Sequence, residues 1–208
     1  MKKLLAGLLL TGSCLNSFSQ EKGKFEFGFN IGLNGATVTS GTMTNSSYRS
    51  GLAVGAVGDY FFSDRWSIKA KLTYDQKGWS NGFFQTTDGG MTFDFYKTDY
   101  HLDYLTIPVM ANWHFGKKRN WYLHFGPYAG VLLSGKETTS QKDLKEITAA
   151  VDAGIALGIG VKIPIAEKVK IIFEFDGQAG LTDAFKQNDG LNVKNSRSSL
   201  STGLVFDL

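Results

Sequence analysis

Alternation of apolar residues with polar or small ones is clearest in residues 104–133, YLTIPVMANWHFGKKRNWYLHFGPYAGVLL. Every second residue from Leu105 to Phe115 is apolar, and the pattern resumes from Trp121 to Leu133. A period of two places successive side chains on opposite faces of a β-strand. The polar GKKRN between the two halves is short enough for a tight reversal of the chain. The stretch therefore predicts two antiparallel strands that share one apolar face.

The same alternation occurs six more times between Phe25 and Leu208, which predicts eight strands of about ten to twelve residues. Three connections are short and four are long and polar: 63–65, 116–120 and 164–168, and then 37–50, 79–100, 134–151 and 181–197. Short turns at one end and long loops at the other indicate an all-β, eight-stranded antiparallel up-and-down barrel. Asp88-Gly89-Gly90 is a turn signal that lets the third and fourth strands continue beyond the barrel as a hairpin.

Composition and charge exclude several classes of protein. The 208 residues suit one domain, and they include 25 glycines, 3 prolines and 1 cysteine, with 13% aromatic residues. Outside the N-terminus, no apolar run approaches the roughly 18 residues that a transmembrane helix needs. The net charge of +3, which falls to +1 without Lys2 and Lys3, is too near neutral for a nucleic-acid-binding protein.

The N-terminus has the organisation of a signal peptide. A basic start (MKK), a compact apolar LLAGLLL and a small-x-small site (SFS) occupy residues 1–19, which leaves 20–208 as the mature barrel domain. Cys14 follows a loose lipobox, so processing to a lipoprotein at Cys14 is the alternative. With cleavage after Ser19 the mature chain has no cysteine, and the sequence predicts neither a disulfide nor a thiolate metal site.

The polarity of the two strand faces separates the two barrels that share this topology. A soluble lipocalin-like carrier encloses an apolar cavity, whereas an outer-membrane barrel turns its apolar face to lipid and has a polar lumen. One face of every predicted strand is almost uninterruptedly apolar, and the other carries nine charged residues: Glu26, Asp59, Lys69, Lys71, Asp75, Lys162, Lys170, Glu174 and Asp176. A Lys or Arg that faces hydrocarbon near the midplane costs about 2–4 kcal/mol. We therefore expect a transmembrane barrel with these charges in its lumen.

The lumen of an eight-stranded barrel is just wide enough for side chains to fill. The nine charges are thus expected to form a packed ion-pair network, and a conducting or proton-relay lumen is the less favoured alternative. Aromatic residues collect near the predicted short turns: Phe25, Tyr60, Phe62, Trp66, Trp113, Phe115 and Trp121. Four more predict an aromatic rim near the long loops: Tyr74, Trp79, Tyr100 and Tyr104.

Several short motifs follow one another along the chain: Tyr-Leu-x-Ile-Pro at 104–108, Gly-Pro-Tyr-x-Gly at 126–130, Asp-x-Gly at 152–154, Gly-Leu-Thr-Asp at 180–183 and Gly-Leu-x-Phe at 203–206. In these motifs the sequence resembles the PorT-like outer-membrane β-barrel family of Bacteroidetes. The resemblance covers essentially the whole mature chain and implies an outer-membrane barrel. The founding member is associated with assembly of the type IX secretion machinery, so the resemblance also implies a secretion-related role.

Catalytic and metal-binding patterns are weak. His114 and His124 are expected to face the lumen near one short turn, without a carboxylate or cysteine at ligand spacing, so no metal or cofactor is predicted. His101 lies between Asp99 and Asp103 near the long loops, and a hydrolase or acyltransferase centred on His101 is the enzymatic alternative. No nucleophile is identifiable from spacing, so the sequence assigns no catalytic residue.

The second long connection is the predicted binding surface, because rigid scaffolds commonly hold binding residues on loops. Its aromatic residues are Trp79, Phe83, Phe84, Phe93, Phe95, Tyr96 and Tyr100. The sequence favours a non-enzymatic, monomeric barrel with a structural or interaction role. Its expected partners are outer-membrane lipid, lipopolysaccharide and an envelope or secretion-machinery protein. A narrow passive pore, the His101 enzyme and the lipocalin-like carrier remain the alternatives.

Overall fold

The computed structural model describes residues 22–40, 46–88, 92–187 and 192–208, and for 84–88 and 92–95 it describes the backbone alone. The predicted signal peptide and the alternative processing at Cys14 lie outside these residues.

The described residues form eight antiparallel strands: β1 (Phe25–Ser40), β2 (Arg49–Phe61), β3 (Trp66–Asp88), β4 (Thr92–Phe115), β5 (Trp121–Glu137), β6 (Val151–Ala166), β7 (Val169–Gly180) and β8 (Val193–Asp207). Each strand pairs with its neighbours in the sequence, and β1 pairs with β8, which closes the barrel. The predicted all-β, eight-stranded up-and-down architecture is confirmed. In the part of the chain that the structure describes, no helix is long and apolar enough to cross a membrane. We call the two ends of the barrel the short-turn end and the long-loop end.

Several strands reach further toward the long-loop end than the alternation indicated. β3 and β4 continue beyond the barrel as a hairpin, as the turn signal allowed. The long loops expected at 37–50 and 181–197 are wrong in extent, because β1 continues to Ser40 and pairs there with Val193 of β8. These segments are rich in Ser, Thr and Asn, which interrupt the apolar alternation although the backbone groups still pair.

The outer face of the barrel is apolar and the inner face is polar. Leu33, Leu157 and Leu200 point outward and are 68%, 60% and 64% exposed. The charged residues that alternate with the apolar ones are buried inside. This is the arrangement of a membrane barrel and the inverse of a soluble carrier, so the lipocalin-like alternative is wrong.

Aromatic residues mark the short-turn end on the outside, but the expected second rim is wrong for three of its four members. Tyr74 is 39% exposed, whereas Trp79, Tyr100 and Tyr104 are almost completely buried. Tyr104 alternates with the lipid-facing Leu105 inside the predicted fourth strand, so the period of two already places its ring in the lumen. Trp79 and Tyr100 continue the same alternation past the predicted ends of β3 and β4, which places them inside the barrel as well, on the same face as Lys77.

Two glycines of β6 make room for large side chains of β5. Gly158 pairs with His124 and Gly160 with Tyr122 across the two strands. A Cβ atom at position 158 would lie 2.3 Å from His124 Nε2, and one at position 160 would lie 2.3 Å from Tyr122 Cζ. These glycines therefore set the packing of the lumen beside β6.

Candidate functional site

The nine charged residues predicted to face the lumen lie inside the barrel, and each is 7% exposed or less. They form ion pairs of opposite sign that cross the lumen and follow one another along its length. Pairing of this kind compensates for the removal of each charge from water.

The layer nearest the short turns is centred on Glu26 and Asp59. Lys170 Nζ lies 2.5 Å from Glu26 Oε1 and 2.7 Å from Asp207 Oδ1. Lys162 forms an ion pair with Glu26 and lies 2.7 Å from Asp59 Oδ2. These contacts connect β1, β2, β6, β7 and β8 through side chains as well as through the sheet.

The middle layer is centred on Glu174, which forms ion pairs with both Lys69 and Lys71. The Tyr122 hydroxyl donates a third hydrogen bond to Glu174 Oε2 at 2.8 Å. Lys71 also lies 2.9 Å from Asp176 Oδ2, which links this layer to the next. β3 and β7 lie on opposite sides of the barrel, so these pairs close the lumen across its width.

The layer nearest the long loops contains three charged residues that the sequence reading missed: Lys77, Asp152 and Arg197. Arg197 lies 2.5 Å from Asp176 Oδ1 and 3.3 Å from Asp75 Oδ2. Lys77 Nζ lies 2.8 Å from Asp152 Oδ2. All three residues sit just beyond the predicted strand ends, and the period of two, continued past those ends, would have placed them inside.

The space left between these side chains is small. Among the described residues, two small cavities of about 10 Å³ each lie between them, one lined by residues that include Lys71 and Arg197 and the other by residues that include Glu26 and Lys69. A cavity of that volume holds about one water molecule. In the described part of the barrel, charged side chains thus fill most of the lumen, as the sequence predicted.

The two lumen histidines have different surroundings. His114 Nε2 lies 2.9 Å from Ser67 Oγ and accepts a hydrogen bond from Asn112 Nδ2 at 3.1 Å. His124 lies beside Glu174 and Asp176, which gives three potential metal ligands in one place. The lysines of the middle layer already hold both carboxylates, so a cation there would have to displace ammonium groups. The geometry therefore fits an ion-pair network better than a metal centre.

An aromatic plug closes the long-loop end above the charged layers. Trp79 and Tyr100 stack with ring centroids 4.2 Å apart, and Phe185 contacts Trp79 edge-on at 5.9 Å. Leu144, from the loop between β5 and β6, is 1% exposed and packs into the same cluster. The sequence reading missed Leu144 because its neighbours, QKD and KE, are charged or polar.

A pocket of about 200 Å³ lies beside this plug, at the base of the β3–β4 hairpin. Its walls are mainly apolar, with a few polar side chains: Val38, Trp79, Asn81, Phe83, Phe185 and Val193 are among its lining residues. Asn81 has a φ of +57° at a register shift in β3, and its side chain donates a hydrogen bond to Ser47 Oγ at 3.0 Å. The irregular backbone thereby positions one wall of the pocket.

Some of the aromatic residues predicted as a binding surface lie at the surface, and others are buried in the plug. Phe83 is 51% exposed, and the Tyr96 hydroxyl lies 2.9 Å from Ser140 Oγ of the next loop. Trp79 and Tyr100 offer almost no exposed area because they belong to the plug. Phe84, Phe93 and Phe95 lie on the hairpin strands, and their side chains are outside the described residues.

A compact turn after β5 supports the base of the hairpin. Burial by itself would raise the pKa of the Glu137 carboxyl, but hydrogen bonds from the side chains of Ser140 and Thr98, and from the backbone N–H groups of Ser140 and Lys142, lower it to about 2. The carboxylate thus ties β4 to the loop between β5 and β6.

Residues 18–186 match the model of the outer membrane protein beta-barrel domain family. The chain belongs to that family. Family membership places the barrel in the bacterial outer membrane, where short turns face the periplasm and long loops face the outside. A search of curated proteins found no significant match.

Solved structures of outer-membrane barrels share the fold of this family member. The outer membrane protein OprG from Pseudomonas aeruginosa is 11% identical with a TM-score of 0.52, over 91% of this chain and 98% of that chain. AlkL, solved in lipid bilayers, is 9% identical with a TM-score of 0.50, over 93% and 94%. At these identities the likeness concerns the fold alone.

Proposed function

We propose that this outer-membrane barrel is a non-enzymatic, non-conducting protein that acts through its extracellular end. The observation that carries the proposal is the contrast between the two parts of the molecule. Layers of ion pairs and an aromatic plug fill the lumen, while the β3–β4 hairpin continues beyond the barrel and a pocket opens at its base.

The extracellular end has the features of a binding surface on a rigid scaffold. The exposed ring of Phe83 borders the pocket, and the turn at Glu137 holds the neighbouring loop against β4. Aromatic side chains supply much of the contact area in protein and ligand recognition. The PorT-like resemblance suggests an envelope or secretion-machinery protein as the partner, and lipopolysaccharide surrounds this end of the barrel in the outer leaflet.

The pore and the enzyme have weaker support. A passive pore requires a continuous water path, and the two described cavities inside the barrel are each about one water in size. An enzyme at the extracellular rim requires a histidine beside a nucleophile. Among the described residues, the histidine with a hydrogen bond to a serine is His114, and it is buried with Ser67 in the periplasmic half of the lumen.

Two measurements test the proposal. In planar bilayers, the purified barrel should produce no stable single-channel steps, and steps of reproducible size would refute the plugged lumen. On intact cells, a photo-crosslinking residue at Phe83 should give a discrete adduct that is absent when the same residue replaces Val109 on the lipid face. Identical adducts at both positions, or none at Phe83, would refute the extracellular binding role.

A further inference from the structure

The periplasmic turns carry a concentrated positive charge on one side of the barrel. The β2–β3 turn contributes Arg65, and the β4–β5 turn contributes Lys117, Lys118 and Arg119 in succession. Asp64 opposes them and lies 3.2 Å from Arg119 Nη1. Among the described residues, no carboxylate forms an ion pair with Lys117 or Lys118, and both side chains are exposed.

A row of aromatic rings lies directly above these cations on the outer surface of the barrel. Trp66 and Trp113 have ring centroids 6.5 Å apart, Trp113 and Phe115 are 5.2 Å apart, and Phe115 and Trp121 are 6.4 Å apart. The row spans β3, β4 and β5, which are the strands that the basic turns connect or follow. Trp66 and Trp121 are 37% and 49% exposed, so the row faces the surrounding lipid.

The extracellular loop that follows β5 does not show the same charge separation. In the loop between β5 and β6, Lys142 and Lys145 alternate with Asp143 and Glu146. The run of Lys117, Lys118 and Arg119 beside lipid-facing aromatics lies at the periplasmic end of β3–β5. We refer to Arg65, Lys117, Lys118, Arg119 and the four rings as the basic aromatic collar.

We propose that the basic aromatic collar binds the headgroup of an anionic phospholipid in the inner leaflet of the outer membrane. The aromatic row faces lipid, so the occupant must extend acyl chains into the bilayer beside it. The exposed lysines lie at the level where lipid phosphates are found, and cations at this level attract anionic headgroups. Charge complementarity favours a lipid with net negative charge, such as phosphatidylglycerol, over a zwitterionic one.

The test uses the tryptophans of the collar as reporters. The full-length mature barrel is reconstituted in phosphatidylcholine vesicles that contain a small fraction of brominated phosphatidylglycerol or brominated phosphatidylcholine, and tryptophan quenching gives the preference for one lipid over the other. Lys117→Gln/Lys118→Gln removes two cations without touching the rings. Lys136→Gln/Lys145→Gln removes two exposed lysines at the extracellular end and is the matched control.

We expect the wild-type barrel to prefer the brominated phosphatidylglycerol, and the collar variant to lower this preference by roughly ten- to 25-fold at low salt. The control variant should keep the wild-type preference. Equal quenching by both lipids in the wild type would overturn the proposal, and so would an equal loss in the two variants. If inorganic phosphate at millimolar concentration abolishes the preference, the collar is a free-anion site and the lipid proposal is wrong. Retention of folding is checked by heat-modifiable gel mobility.

Discussion

Replacement of Glu174 by glutamine would measure how much the lumen network contributes to stability. Glu174 holds Lys69 and Lys71 and accepts a hydrogen bond from the Tyr122 hydroxyl. Glutamine has nearly the same shape, but its side chain carries no charge. Its NH2 group replaces one carboxylate oxygen, so a hydrogen-bond donor faces an ammonium group that is also a donor. Lys71 keeps Asp176 at 2.9 Å, whereas Lys69 loses the one carboxylate that the described residues place in ion-pair contact with it.

The expected loss follows from this unpaired ammonium group. Removal of one partner from a buried ion pair costs about 3–5 kcal/mol, because the remaining charge stays buried without compensation. The cavity beside Lys69 has a volume of about 10 Å³, and one water molecule there would partly solvate the ammonium group. We therefore expect Glu174→Gln to lower the free energy of unfolding by about 3 kcal/mol, at the lower end of that range.

Urea unfolding in phospholipid vesicles, followed by tryptophan fluorescence and by gel mobility without boiling, gives this free energy. Glu167→Gln makes the same substitution in an exposed periplasmic turn and should change stability by no more than about 0.5 kcal/mol. The double variant Lys69→Met/Glu174→Gln removes both charges, keeps an acceptor for the Tyr122 hydroxyl and should recover most of the loss. A Glu174→Gln barrel as stable as the Glu167→Gln control would refute the reasoning, as would a double variant no more stable than Glu174→Gln.

Three further predictions follow from the structure. Gly160→Ala would place a Cβ atom 2.3 Å from the buried Tyr122 ring and should cost about 1–3 kcal/mol in urea unfolding, whereas Gly177→Ala, whose nearest contact is 3.8 Å away, should cost less than about 0.5 kcal/mol. The pKa of Glu137 is lowered from 4.5 to about 2, so its hydrogen bonds stabilise the loop fully above pH 4.5 and are lost as the pH falls through about 2. Protection of the loop amides from hydrogen exchange should fall as the pH is lowered over this range. The Glu137→Gln variant should show no such pH dependence. Trp79→Ala should lower the unfolding free energy by about 3 kcal/mol without producing conductance in planar bilayers, since the ion pairs below the plug still fill the lumen; an open channel in this variant would show that the plug alone closes the barrel.

Local sequence determined the strands and the face on which each side chain lies. The period of two alone assigned Glu26, Lys69 and Glu174 to one face, because successive residues of a strand point to opposite sides whatever the strand pairs with. The pattern of short and long connections likewise predicted the topology, and the turn signal at 88–90 indicated the β3–β4 hairpin. Where polar residues continue a strand past the apolar band, as at Lys77 and Arg197, this signal stops although the backbone pairing does not.

Closure of the barrel decided which of those side chains meet. Lys69 and Glu174 are 105 residues apart and become partners because β3 and β7 face each other across a closed lumen. No local pattern contains that relation, since it depends on the stagger of all eight strands together. Closure also turned Trp79 and Tyr100 into a plug and brought Leu144 over the mouth, because a side chain in a closed barrel packs against whichever strands and loops surround it.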